Sequence, residues 1–156
     1  MKNTVLLVIG VLALGSSHAN AQSDTEKEVT QTIIASNEYS NKNLRNGPDE
    51  YSSKGALEFW SSGGLLQEIA PGGRPDQYDS ISIKPSNIRV LTLVEGQAAV
   101  AHYYAEGSLK PKNSPGVNHY LTRVTQVFVK EGGKWKVRSS HWSPIAGGSG
   151  TSQTTQ

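Results

Sequence analysis

The fold is decided by the stretch RVTQVFVKEGGKWKVRSSHWSP, which occupies residues 123–144. Two runs of alternating apolar and polar residues flank Gly132-Gly133, and this pattern predicts two antiparallel strands joined by a tight turn. In the second run Trp135 and Val137 share a face with His141, because alternate side chains of a strand point to opposite sides. We therefore expect a core-facing hairpin whose last strand carries an inward histidine.

The rest of the chain predicts helical sequence first and strands afterwards. Residues 23–44 carry apolar side chains at helical spacing behind a Ser-Asp cap, and a short helical turn is expected at residues 49–53. Gly63-Gly64 predicts a turn between two short strands. Longer strands are expected at residues 88–94, 98–108, 118–130 and 134–143. This order indicates an α+β fold with helices packed on one face of a curved antiparallel sheet.

The last hairpin also resembles a known family. Gly133-Lys134-Trp135, Val137 and His141-Trp142-Ser143 are similar to the C-terminal hairpin of the nuclear transport factor 2-like superfamily, in its SnoaL-like and calcium/calmodulin-dependent kinase II association-domain-like branch. The resemblance covers about residues 24–144 and implies a cone-shaped sheet wrapped around N-terminal helices, with a pocket at the open end. That superfamily includes ketosteroid isomerases, polyketide cyclases, dehydratases and non-catalytic binding modules, so the fold does not by itself give the function.

The N-terminus predicts a cleavable signal peptide over residues 1–21. Lys2 precedes the uncharged run TVLLVIGVLALG, and Ala19-Asn20-Ala21 places small residues at the cleavage site. The run is shorter than the roughly 20 apolar residues that span a bilayer. We expect a periplasmic or secreted protein that begins at Gln22, which N-terminal sequencing of exported material would check. A domain over residues 22–145 and a disordered tail over residues 146–156 complete the expected organisation.

The composition excludes several classes of site. The chain has no cysteine, which excludes disulfides, thiol catalysis and thiolate metal sites. Its histidines lack metal-binding spacing, and no phosphate-binding or dinucleotide-binding glycine motif occurs, so no metal and no cofactor are expected. Lys and Arg number 15 against 13 Asp and Glu. This near balance gives no reason to expect nucleic acid as a partner, or a membrane after signal cleavage.

Two other strands carry the remaining candidates for a site. His102, Tyr104 and Glu106 share one face of their strand, and Arg123 lies in a largely apolar row of the next. We expect His102, Tyr104, Arg123 and His141 to converge on one interior pocket. Two alternatives remain open: the first strand presents this face to solvent, or Arg123 forms a structural ion pair with Glu106. The candidate catalytic residues are His102, Tyr104 and His141, and the candidate ligand-binding residues are Trp60, His102, Tyr104, Glu106, Arg123 and His141.

Three functions are compatible with these residues. The preferred one is an exported domain that binds a small molecule. The second is a lyase or isomerase of the SnoaL or ketosteroid isomerase type, acting on a small carbonyl or polycyclic substrate with His102 or His141 as base and Tyr104 as oxyanion donor. The third is a purely structural homo-oligomer. A homodimer is also expected, because both faces of the strand at residues 118–130 carry apolar side chains.

Overall fold

The computed structural model describes residues 23–73 and 77–151. Its elements are α1 (Asp24–Asn43), β1 (Ala56–Phe59), β2 (Gln67–Ile69), β3 (Tyr78–Val94), β4 (Ala98–Pro111), β5 (Val117–Glu131) and β6 (Lys134–Pro144). The six strands form one curved, unclosed sheet in the order β2-β1-β6-β5-β4-β3, and α1 packs mainly on β3. The predicted α+β fold is confirmed, as are the β1–β2 hairpin and the antiparallel meander from β3 to β6.

Two details of the predicted fold class need correction. The described residues contain one helix rather than several, because residues 49–53 form turns and Tyr51 bridges to Val137. The sheet is mixed rather than wholly antiparallel, because β1 runs parallel to β6 with Phe59 opposite His141. The parallel pair joins the first strand of the chain to the last, and α1 packs on the concave side of the sheet.

The single helix has defined ends and one buried stripe. The Ser23 hydroxyl accepts a hydrogen bond from the Glu26 N–H at 3.2 Å, which caps the first turn. Leu44 ends the helix in a left-handed conformation, and its N–H donates to the Ser40 carbonyl at 2.9 Å. Val29 and Ile33 are buried in the main hydrophobic cluster. Among the described residues, no helix is long and apolar enough to cross a bilayer.

A bulge in β6 changes which side chains face the concave side. Val127 pairs with Ser139, and Phe128 pairs with Val137, so Arg138 is an extra residue on β6. Trp135 and Val137 are buried before the bulge, and Ser140 is buried after it. The alternation is therefore reversed at the bulge, and His141 lies on the exposed outer face. The expectation that His141 faces inward with Trp135 and Val137 is wrong for this reason.

The chain beyond β6 folds back onto the domain. The Ser149 N–H donates to the His119 carbonyl at 3.0 Å, and the Leu121 N–H donates to the Ser149 carbonyl at 3.2 Å. The Thr151 N–H donates to the Ser61 hydroxyl at 3.0 Å. For residues 146–151 the expected disordered tail does not describe the structure. The predicted signal peptide, residues 1–21, and the end of the predicted tail, residues 152–156, lie outside the described residues.

Candidate functional site

The two faces of β4 differ in size and polarity. Ala99, Ala101, Tyr103 and Ala105 are buried on the concave side, whereas His102, Tyr104 and Glu106 are exposed on the outer side. Of the two alternatives for this strand, the exposed face is therefore confirmed. The interior pocket expected for His102 and Tyr104 is not found.

The faces of β5 were also assigned the wrong way round. Its concave row is buried and consists of Tyr120, Thr122, Val124, Gln126 and Phe128. Its outer row contains Arg123, which is exposed, between half-buried Leu121 and Thr125. Arg123 is thus not an interior residue. The sequence predicts burial of its row because the outer face of β5 carries aliphatic side chains beside Arg123. The inner row is the more polar one because it borders a cavity.

That cavity, of about 420 Å³, lies between α1 and the concave side of the sheet. This volume is within the range of small-molecule sites in proteins, roughly 300–1,000 Å³. Its apolar walls include Ile33, Ile81, Ile83, Phe128 and Val137. Trp60, one of the residues predicted from the sequence, lines it together with Trp135 and Trp142. Of the predicted ligand-binding residues, Trp60 alone borders this space.

A buried carboxylate forms the polar centre of the cavity. Glu58 is only 4% exposed, and within residues 23–73 and 77–151 the side chains that donate hydrogen bonds to it include Ser140, Tyr51 and Trp60. Ser140 and Tyr51 donate to Oε1 at 2.6 and 3.2 Å, and Trp60 donates from its indole N–H to Oε2 at 3.3 Å. A second carboxylate, Glu50, also lines the cavity and accepts a hydrogen bond from Ser36 on α1 at 3.3 Å. These contacts hold Glu58 in a fixed orientation.

Two buried tyrosines complete the polar lining. The Tyr103 hydroxyl donates to Gln126 Oε1 at 2.8 Å, and the Tyr120 hydroxyl donates to the Ser61 hydroxyl at 3.3 Å. Burial, and then the negative charges of Glu50 and Glu58, raise the pKa of Tyr103 well above its usual value. Burial also raises the pKa of Tyr120, against the smaller opposing effect of the neighbouring Ser61 and Thr122 hydroxyls. Both phenols therefore keep their protons, which they donate in hydrogen bonds to Gln126 and Ser61.

The sequence contains a usable signal for Tyr103 but none for Glu58. Three alanines alternate with Tyr103, and this uniformly small, apolar row is more typical of a buried face than the row of His102, Tyr104 and Glu106. Glu58 alternates with exposed Leu57 and Phe59 in a strand of four residues. An acid between two exposed apolar residues gives no pattern from which its burial could be read.

The predicted polar residues do lie together, but on the outer face. His102 lies opposite Thr125, which lies opposite His141 on the next strand, and Tyr104 lies opposite Arg123. With Arg89 and Ser143 they line one shallow groove, whereas Glu106 does not line it. Within residues 23–73 and 77–151 no carboxylate oxygen lies within 4.0 Å of Arg123, so the ion pair with Glu106 is not formed. Whether these residues bind a ligand stays a prediction.

Comparisons with solved structures identify the fold. A candidate dehydratase of the NTF2-like family from Streptomyces avermitilis is 16% identical with a TM-score of 0.55, over 78% of this chain and 96% of that one. A candidate aromatic ring hydroxylase from Novosphingobium aromaticivorans is 16% identical with a TM-score of 0.55, over 81% and 92%. The association domain of C. elegans CaMKII is 17% identical with a TM-score of 0.50, over 78% and 99%.

These likenesses confirm, at the level of fold, the resemblance carried by Gly133-Lys134-Trp135. The chain has the nuclear transport factor 2-like fold. No sequence-family profile matches the chain, and no curated protein sequence matches it. The structural neighbours differ in their described functions, so the function has to be argued from the site.

Proposed function

We propose that this protein binds a small organic molecule in the cavity between α1 and the sheet. The observation that carries the proposal is an interior space of about 420 Å³ that places the fixed carboxylate of Glu58 and the hydroxyl of Tyr103 among apolar and aromatic walls. A pocket that combines an apolar body with a few oriented polar groups is typical of small-molecule sites. The proposed place of action, outside the cytoplasm, rests on the N-terminal sequence pattern alone.

The lining indicates the kind of molecule that fits. Ile33, Ile81, Ile83 and Phe128 offer apolar contact, and polar side chains form a similar share of the lining, so the proposed ligand combines an apolar body with polar groups. Glu58 accepts hydrogen bonds, and the protonated Tyr103 hydroxyl donates to a ligand oxygen if that oxygen replaces Gln126 as its acceptor. A ligand with a hydroxyl or carbonyl group on an apolar ring or chain satisfies both. The purely structural module of the sequence analysis is less well supported, because a cone that served only for assembly would be filled by its own side chains.

A lyase or isomerase is the second candidate, favoured by the presence of Glu58 and Tyr103 in one cavity. In this reaction the Glu58 carboxylate takes a proton from the carbon next to a substrate carbonyl, and Tyr103 donates a hydrogen bond to the carbonyl oxygen as negative charge develops there. An isomerase would return the proton to a different carbon. His102, Tyr104 and His141 cannot perform these steps on a cavity substrate, because they lie on the opposite face of the sheet.

Native mass spectrometry of protein purified from its own host tests binding. The protein should carry an added small-molecule mass. Ser36→Phe narrows the cavity from the helix side and should abolish this mass, while Ala35→Phe adds the same ring on the exposed side of α1 and should retain it. Equal occupancy of the two variants would contradict the proposal. For the second candidate, Glu58→Gln keeps the shape of the side chain and should retain the mass while lowering turnover by at least about 100-fold.

A further inference from the structure

We propose that the groove on the outer face of the sheet, lined by Arg89, His102, Tyr104, Arg123 and His141, is a second binding site, for a compact anion such as a carboxylate or phosphate group. The site is separate from the interior cavity, because the sheet lies between them. It does not depend on the function proposed for that cavity.

Strand register brings the groove residues together from four neighbouring strands. Arg89 on β3 pairs with His102 on β4, and His102 pairs with Thr125 on β5. Thr125 in turn pairs with His141 on β6. A parallel row two residues along contains Tyr104, Arg123 and Ser143. Because opposed Cβ atoms on neighbouring strands are about 4.5–5.5 Å apart, these side chains form one continuous patch.

The bulge in β3 contributes to this arrangement. Ser86 pairs with Tyr104 and Arg89 pairs with His102, so β3 has one residue more than β4 over this stretch. Asn87 adopts a left-handed conformation with φ 52° at the bulge. The extra residue reverses the alternation, so that Ile81 and Ile83 line the cavity before it and Arg89 lines the outer groove after it. Two bulges, on β3 and β6, thus bring Arg89 and His141 to the same groove.

The groove carries positive charge that no acid within residues 23–73 and 77–151 pairs with. Arginine is always protonated in proteins, and within the described ranges neither Arg89 nor Arg123 has a carboxylate oxygen within 4.0 Å. Several lysines of the same domain are paired instead: Lys110 with Asp79 at 2.7 Å, Lys130 with Glu28 at 2.6 Å and Lys134 with Asp49 at 2.8 Å. Glu106, on the same face, lies opposite Lys84 and outside the groove.

Local contacts orient three of the groove side chains. The Arg123 Nε donates to the Ser143 hydroxyl at 2.8 Å, which fixes the guanidinium plane and leaves its two terminal amino groups for a bidentate contact with an oxyanion. His102 Nδ1 lies 3.0 Å from the Thr125 hydroxyl. The His141 ring packs edge-on against Phe59, with centroids 5.6 Å apart. An oriented guanidinium beside two held imidazoles matches the donor geometry that a compact anion requires.

Titration with inorganic phosphate, followed by NMR of backbone amides at an ionic strength held constant with sodium chloride, tests the site. Saturable shifts should occur around Arg123, His102 and His141. Arg123→Gln should weaken phosphate binding at least about tenfold, because hydrogen bonds between charged groups are the strong ones. Arg123→Lys keeps the positive charge but lacks the paired N–H donors of the guanidinium. It should therefore weaken phosphate binding less than Arg123→Gln does. Arg45→Gln removes an exposed arginine outside the groove and should leave binding unchanged.

Shifts that do not saturate, or equal weakening in Arg123→Gln and Arg45→Gln, would overturn the proposal. So would the absence of shifts because a second copy of the chain covers the face. Melting temperatures of all variants check that they fold. If Arg123→Gln does not fold, Arg89→Gln replaces it in the test and should weaken phosphate binding by a similar factor.

Discussion

Glu131, the last residue of β5, connects this strand to residues 52 and 53. Its Oε1 accepts a hydrogen bond from the Ser52 hydroxyl at 2.6 Å, and its Oε2 accepts one from the Ser53 N–H at 2.8 Å. These two bonds tie the turn after β5 to the loop that precedes β1. They also lower the pKa of Glu131 from its ordinary value of 4.5 to about 2, with the Ser52 bond as the larger cause.

The depressed pKa predicts a pH-dependent stability. A carboxyl group whose pKa is lower in the folded state stabilises the fold above its unfolded pKa, and this contribution is lost as the pH falls through the folded value. Glu131→Gln should therefore lower the melting temperature at pH 7, and the difference from the wild type should shrink between about pH 4.5 and about 2. Thermal unfolding at a series of pH values measures this difference in melting temperature.

Glu38→Gln, on the exposed side of α1, is the matched control for Glu131. It should leave the melting temperature nearly unchanged at every pH. A Glu131→Gln difference that persists undiminished at about pH 2 would contradict the assignment of the effect to the charged carboxylate.

Single residues mark the limit of what the sequence could predict about the site. Trp60 was expected to line a pocket and does so. Glu58 was missed, because its burial depends on pairing between β1 and β6, strands about 80 residues apart in the chain. Tyr103 was missed because the more polar side of β4 was taken to be the inner one. Polarity is a poor guide to the inner face where that face borders a cavity.

Whole elements were predicted better than the directions of their side chains. Alternation of apolar residues, glycine turns and a capped helical run are local signals, and they located α1, the β1–β2 hairpin and the four strands of the meander. The start of β3 was placed ten residues too late, because Pro85 and several polar residues interrupt its pattern. The alternation of side chains along a strand predicts their faces correctly only within a stretch that contains no bulge.

The bulge of β6 explains the misplacement of His141, and β3 carries a bulge of the same kind. Neither has a glycine at the extra residue: Asn87 occupies the positive-φ position in β3, and Arg138 is the additional residue in β6. Without such a marker the alternation of β6 appears continuous from Trp135 to Ser143. One extra residue moves every later side chain to the opposite face of the sheet, which is sufficient to move His141 from the expected interior to the outside.

At the scale of the molecule, we propose that an apolar row of the outer sheet face, which lies outside the anion groove and leaves it open, pairs with a second copy of the chain. Leu91 lies opposite Val100, which lies opposite Val127, and this apolar row continues next to the anion groove. Leu91 is 60% exposed and Leu93 is 53% exposed. Contiguous exposed apolar surface of this kind marks interaction sites in soluble proteins, and a symmetric dimer buries the same patch on both copies.

Light scattering at micromolar concentration should report a dimer. Leu91→Glu should shift it to the monomer, because a charge at the centre of an apolar interface must lose its water without a partner. Leu65→Glu is the control, because Leu65 is 75% exposed in the loop between β1 and β2 and lies away from this row. A monomeric wild type, or equal dissociation of both variants, would count against the dimer.

The walls of the cavity come from parts of the chain that are synthesised at different times. These walls include residues of α1 near one end of the described chain and Thr151 at the other, and the Thr151 N–H donates a hydrogen bond to the Ser61 hydroxyl in the loop after β1. A nascent chain emerges N-terminus first, so the space has no complete boundary until its last residues are present. The ligand of the proposed function would therefore find the complete cavity only after Thr151 has reached Ser61. A chain shortened to residue 145, where the sequence suggested that the domain stops, would lack part of that boundary.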